Sequence, residues 1–143
     1  MIELPHGTID TKWLEKTLIC SPEGPINGPG AEVFSKKICA SIKESRPSGP
    51  WVRVEYFRDF YTLATPDAYR FLLDSLVCSK SHGCKLICVI GVNSCNTYLF
   101  ERFSQVADLP FFSFNCLTTL ANFLVEHNSV GSAASFIKFI ERL

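Results

Sequence analysis

The chain has no excess of either charge. Its 143 residues hold 14 Lys and Arg against 14 Asp and Glu, so it lacks the basic footprint of a general nucleic-acid binder. No apolar run approaches the roughly 18 residues that a membrane span requires. The opening Met1-Ile2-Glu3-Leu4-Pro5-His6 shows no charged segment leading into an apolar one, so no secretory leader is read there. Repeats and low-complexity stretches are missing. So are a P-loop and a dinucleotide fingerprint, because the lysine and the glycine spacing they require do not occur. Cys78, His82 and Cys84 lie close together, but no fourth ligand completes a zinc pattern, and no metal or cofactor is expected.

What is there is apolar and aromatic. Hydrophobic residues make up 47% and aromatic residues 13% of the chain, enough for one folded domain with its own core. The seven cysteines, Cys20, Cys39, Cys78, Cys84, Cys88, Cys95 and Cys116, are odd in number and scattered. Several sit inside apolar runs such as Leu86-Ile87-Cys88-Val89-Ile90. Thiols placed this way act as small hydrophobes, and the expected setting is a reducing, cytoplasmic one. Zero net charge weakens repulsion between copies and is compatible with a homodimer.

The hydrophobic period alternates between two and 3.6. The first dozen residues read as an edge strand or a strand pair. Thr17 to Cys20 runs into Pro22-Glu23-Gly24-Pro25-Ile26-Asn27-Gly28-Pro29-Gly30 and then into a helix over residues 30–45, with Ala31, Phe34, Ile38 and Ile42 on one face. Trp51 to Phe57 alternates, with Val52, Val54 and Tyr56 opposite Trp51, Arg53 and Glu55. Thr65-Pro66-Asp67 opens a second helix with a hydroxyl cap, a proline and an acid, and its buried stripe is read as Tyr69, Leu72, Leu73 and Leu76. Cys84 to Val92 reads as a central strand. Asn93 or Ser94 caps a helix with Leu99, Phe103 and Val106 inside, and Leu109 to Phe114 is a further strand. Thr118 caps a helix bearing Leu120, Ala121, Leu124 and Val125, and residues 132–143 form a last amphipathic helix. Strand-helix alternation of this kind implies a mostly parallel sheet. The expectation is α/β, with about five strands and four or five helices. Residues 1–128 form the domain, and residues 129–143 pack on it or on a dimer partner.

Over about residues 8–127 this layout resembles the sulfate-transporter and anti-sigma-factor-antagonist (STAS) fold, and within it the single-domain SpoIIAA-like branch. The resemblance is carried by Gly24-Pro25-Ile26-Asn27-Gly28, similar to that branch's Gly-x-x-Asn loop before a first helix. It is also carried by Trp51-Val52-Arg53-Val54 followed by Thr65-Pro66-Asp67-Ala68, and by Phe112-Ser113-Phe114 leading into Leu120-Ala121-Asn122-Phe123-Leu124. It implies a module without catalytic activity that acts as a protein switch or as a sensor of nucleotides, anions or small apolar ligands. The branch's phosphorylatable Asp-Ser-Ser-Gly turn is missing; Asp59-Phe60-Tyr61-Thr62-Leu63-Ala64-Thr65 stands in its place. Only Thr65, or in second place Thr62, could replace the serine.

Candidate binding residues come from two loops. Asn27, Gly28 and Gly30 lie at a helix N-terminus, where free N–H groups and the dipole could hold an anion, although a rigid turn is the simpler reading. Phe57, Asp59, Phe60, Tyr61 and Thr65 follow the strand from Trp51, where ligands of open α/β sheets sit. Phe57, Phe60 and Tyr61, with Phe111, Phe112 and Phe114, could wall an apolar pocket or be plain core. Arg53, Glu55, Arg58 and Asp59 read most simply as a solvated face with weak ion pairs. The function expected from all this is regulation through a protein partner. A carrier or sensor of a small apolar or anionic ligand is the alternative. A thiol-dependent enzyme, which would need Cys78 or Cys95 beside a histidine, comes third.

Overall fold

The structure, a computed structural model, describes residues 3–58, 62–91 and 94–143. Asp59, Phe60, Tyr61, Val92 and Asn93 therefore lie outside the described residues. The chain begins with β1 (Thr8–Leu14) and β2 (Thr17–Glu23), followed by α1 (Gly28–Ser45) and β3 (Trp51–Tyr56). A 3-10 turn at Pro66–Ala68 leads into α2 (Tyr69–Ser81), β4 (Cys84–Ile90) and α3 (Ser94–Ala107). Last come β5 (Phe111–Phe114), α4 (Leu117–Glu126) and α5 (Ala133–Glu141). No described helix is long and apolar enough to cross a membrane.

The fold is α/β. One sheet of five strands has the order β1-β2-β3-β4-β5. Among the described residues only the β1–β2 pair is antiparallel; β2, β3, β4 and β5 pair in parallel. Each crossover thus steps one strand in the same direction, and crossovers of one hand then place their helices on one face of the sheet. The buried side chains divide accordingly. Phe34, Ile38 and Ile42 of α1, Leu76 of α2 and Ala107 of α3 pack with Leu18, Cys20, Trp51, Ile87 and Val89. On the opposite face, Leu120 and Leu124 of α4 and Phe136 and Ile140 of α5 pack with Ile19, Val52, Val54, Cys88 and Ile90. Phe136 and Ile140, from the helix after residue 129, thus share one buried cluster with sheet residues of this face.

Helix α1 shows how local sequence sets its ends. Asn27 is its N-cap, accepting from the Gly30 N–H, and proline occupies its first turn. It starts two residues before the expected position, and its buried apolar residues are the four expected ones. In α2 Leu76 of the expected stripe is buried and Tyr69, Leu72 and Leu73 are half-buried, while Ser75 and Ser79, outside the expected stripe, are buried beside it because the Arg53 guanidinium lies beneath them. Val106, expected inside, is 68% exposed. The cap of α4 is Cys116, not Thr118, and β5 begins at Phe111, not Leu109.

Candidate functional site

Two loops meet beyond the carboxyl ends of β2 and β3. The Ile26 N–H donates to Leu63 O at 2.7 Å, and the Thr65 N–H to Ile26 O at 2.9 Å, so Ile26 and Ala64 form a short parallel bridge. The Gly28 N–H donates to Asp67 Oδ2 at 3.1 Å. The Thr65 hydroxyl donates to Asp67 Oδ1, and also lies 3.3 Å from Ile26 O. The Thr65 hydroxyl, with a lesser contribution from the Gly28 N–H, holds the Asp67 carboxyl below its ordinary value against the opposing effect of burial. Thr65 does precede the helical turn, but its hydroxyl caps no N–H.

The three residues read as an anion cradle are thus satisfied from within the chain. Asn27 Oδ1 accepts from Gly30 N at 2.9 Å and from His6 N at 2.8 Å, while Nδ2 donates to Leu4 O at 2.8 Å. A Cβ on Gly28 would lie 2.5 Å from Asp67 Oδ2, and one on Gly30 would lie 2.0 Å from His6 O. Glycine stands at both positions because an internal carboxylate and the N-terminal segment fill the space.

Beneath this clasp, between the sheet and helices α1, α2 and α3, lies a cavity of about 50 Å³. Phe34, Leu72, Phe57, Phe100 and Phe103 make much of its apolar wall. Its polar residues are Arg53, Glu55, Thr62, Ser75 and Asn96. Phe57, an expected site residue, is here. Phe111, Phe112 and Phe114 are not among its lining residues: Phe111 stacks on Phe100, while Phe112 and Phe114 pack on Phe123 on the opposite face.

Arg53 and Glu55 do not form a solvated face. They are 4% and 3% exposed and form a buried ion pair from Arg53 Nε to Glu55 Oε1. Residues two apart on a strand share a face, and here that face lies under α1 and α2. Arg53 Nη1 also donates to Ser75 Oγ at 3.2 Å and Ser79 Oγ at 3.1 Å. Both hydroxyls pass their protons back to their own helix, Ser75 to Leu72 O and Ser79 to Ser75 O. Their lone pairs therefore point at the guanidinium, which explains serine on the buried side of α2. Burial alone would lower the Arg53 value, but the Glu55 charge and the Cys20 thiol outweigh it, so Arg53 stays protonated. Burial pushes the Glu55 carboxyl up, and Arg53 only partly restores it. Arg58, the other cation of the expected cluster, lies 4.0 Å from Glu23 at the surface.

Thr62 is the residue whose role the sequence conceals most. Asn96 Nδ2 donates to its carbonyl oxygen at 2.6 Å. Its hydroxyl is 1% exposed as a residue and has no hydrogen-bond partner among the described residues. An unmet buried hydroxyl costs about 1–3 kcal/mol. Ser21 Oγ is also unpartnered but is not among the cavity-lining residues.

The thiols assemble no nucleophile at Cys78. Its Sγ is 3.8 Å from His82 Nδ1, but that nitrogen lies 2.8 Å from the Cys78 carbonyl oxygen. A carbonyl only accepts, so Nδ1 carries the proton and cannot take one from the thiol. Burial, and next the Cys39 thiol, pushes Cys78 up to about 12. No group of three or more His, Cys, Asp or Glu side chains able to hold a metal occurs among the described residues. The sequence matches no protein-family model, and no curated protein matches it significantly.

Proposed function

We propose that this chain is a non-catalytic regulatory module of STAS-like type that responds to a small ligand in the cavity beneath the two clasped loops. The carrying observation is Thr62, a lining residue of the cavity that also holds the Arg53–Glu55 pair, whose buried hydroxyl has no partner among the described residues. Native folds leave few such groups unmet, and a ligand or water that meets one gains what the fold forgoes. The one-step strand order, the antiparallel edge strand and the loop ending in Asn27-Gly28 support the STAS-like reading. The clasp supports regulation. Residues 62–67 touch both the cavity and the surface, with Leu63 46% exposed, so a filled cavity changes what a protein partner meets there.

Native mass spectrometry of gently purified protein tests the reading. Wild type is expected to carry extra mass that is lost on denaturation. Leu72→Trp, which plugs the cavity, is expected to carry none. The same retained mass in both proteins, or none in either after incubation with cell extract, counts against the cavity.

A further inference from the structure

A groove of about 840 Å³ lies outside the cavity, between α2 and α3. Tyr69 and Leu73 from α2, with Tyr98 and Val106 from α3, make its apolar sides. Leu99 and Phe103 line the groove and the cavity alike. Both are only half-buried, and they form the wall that the small inner space and the large outer one share. Tyr98 is 56% and Val106 68% exposed, an apolar strip leading to that wall from outside.

The chemistry of the inner end selects the occupant. Its two charges, Arg53 and Glu55, cancel each other, so an ionic head would meet a like charge whichever its sign. Thr62 offers a hydroxyl that both donates and accepts. A neutral head that also does both fits; a carboxylate or an ammonium does not. Between that end and the groove mouth the lining is mostly aliphatic or aromatic; its polar groups are Asn96, Cys95, the tyrosine hydroxyls and Arg102, whose Nη1 lies 3.2 Å from Tyr98 Oη.

We propose that cavity and groove form one site for an uncharged linear amphiphile, with its hydroxyl against Thr62 and the Arg53–Glu55 pair and its chain passing between Leu99 and Phe103 into the α2–α3 groove. This rests on the cavity reading above and adds the ligand class and the route.

The test is calorimetric titration of the full chain with 1-alkanols from butanol to octanol, and with octanoate and octylammonium. Each added methylene is expected to tighten binding about three- to fourfold, as burial of a CH₂ group predicts. Octanoate and octylammonium are expected to bind at least about tenfold more weakly than octanol. Leu99→Trp, which blocks the passage, is expected to remove the dependence on chain length, and Thr62→Val to weaken every alkanol. Alkylation of Cys95, which lines the groove, is expected to slow when octanol is bound, while Cys116, the cap residue before α4, is unaffected. That comparison needs no variant to fold. Butanol binding that responds to Thr62→Val, without tightening along the series, overturns this proposal and leaves the cavity reading standing. Octanoate binding as tightly as octanol places the head at Arg102 and overturns the ligand class. Binding indifferent to both substitutions, or no binding at all, overturns the proposal, and indifference to Thr62→Val removes the cavity reading as well.

Discussion

On the face of the sheet covered by α4 and α5, the buried layer is Ile19, Val52, Val54, Cys88, Leu124, Phe136 and their neighbours, with no buried charge among the described residues. On the face covered by α1, α2 and α3, similar aliphatic packing surrounds Arg53 and Glu55, two helix serines and a cavity. The same strand supplies both faces: Val52 and Val54 point one way, Arg53 and Glu55 the other. The first face does what a core needs, since each fully buried large aliphatic side chain contributes about 1.5–3 kcal/mol. The second gains little from its ion pair, because desolvation cancels most of the attraction. Stability alone therefore gives little reason for its charges.

The largest expected effect separates the two faces. Arg53→Met leaves Glu55 buried without its partner and is expected to cost about 3–5 kcal/mol in urea unfolding. Arg53→Met combined with Glu55→Leu should recover most of that loss. A double variant as unstable as the single one would show that the pair is needed for stability. On the apolar face, Leu124→Ala should cost about 3 kcal/mol through the cavity it leaves. Because the two sites share no partner, its effect should add to that of Arg53→Met; strong coupling would contradict two independent layers.

Smaller effects sharpen the picture of the clasp. Asn27→Ala removes an N-cap and the anchor of residues 4–6, and should lower stability by about 1–2 kcal/mol. Thr62→Val should do the reverse and raise it by about 1 kcal/mol in the ligand-free protein, since it removes an unmet hydroxyl. A loss on that substitution would mean the hydroxyl has a partner in solution.

The two carboxyls should respond to acid in opposite senses. The folded value of Asp67 lies below its unfolded value near ~3.9, so its contribution is present above that pH and fades as pH falls through the folded value. Glu55 lies above its unfolded value, so its contribution is present at low pH and lost as pH rises through the folded value. Urea midpoints of Asp67→Asn and Glu55→Gln, measured against wild type across the acid range, should therefore diverge from it in opposite directions. Parallel curves would refute the assignment.

Much of the fold is legible along the chain. The apolar face of α1, Ala31, Phe34, Ile38 and Ile42, appears where a 3.6-residue period puts it. The alternation of β3 follows from an equally local rule. Val106 misleads because a correct period does not say where the apolar arc ends, and α3 turns that residue into the groove. Ser75 and Ser79 look like surface residues of α2 until Arg53 is placed beneath them. A signal was present: two serines four apart on the side of a helix expected to be apolar, and two opposite charges on one face of a strand. It has no meaning until strand and helix are known to touch.

By itself, then, the sequence determined the alternation of strands and helices, the α/β class and the apolar face of α1, because those depend on backbone and side-chain geometry within a few residues. The tertiary structure decided that Asn27, Gly28 and Gly30 are occupied by Asp67 and the N-terminal segment, that Arg53 and Glu55 are buried, and that Thr62 faces a cavity. Each of those facts joins residues far apart in the chain. The free energy of a charge or a hydroxyl depends on whether water or protein surrounds it, and only the packing of one element on another decides that.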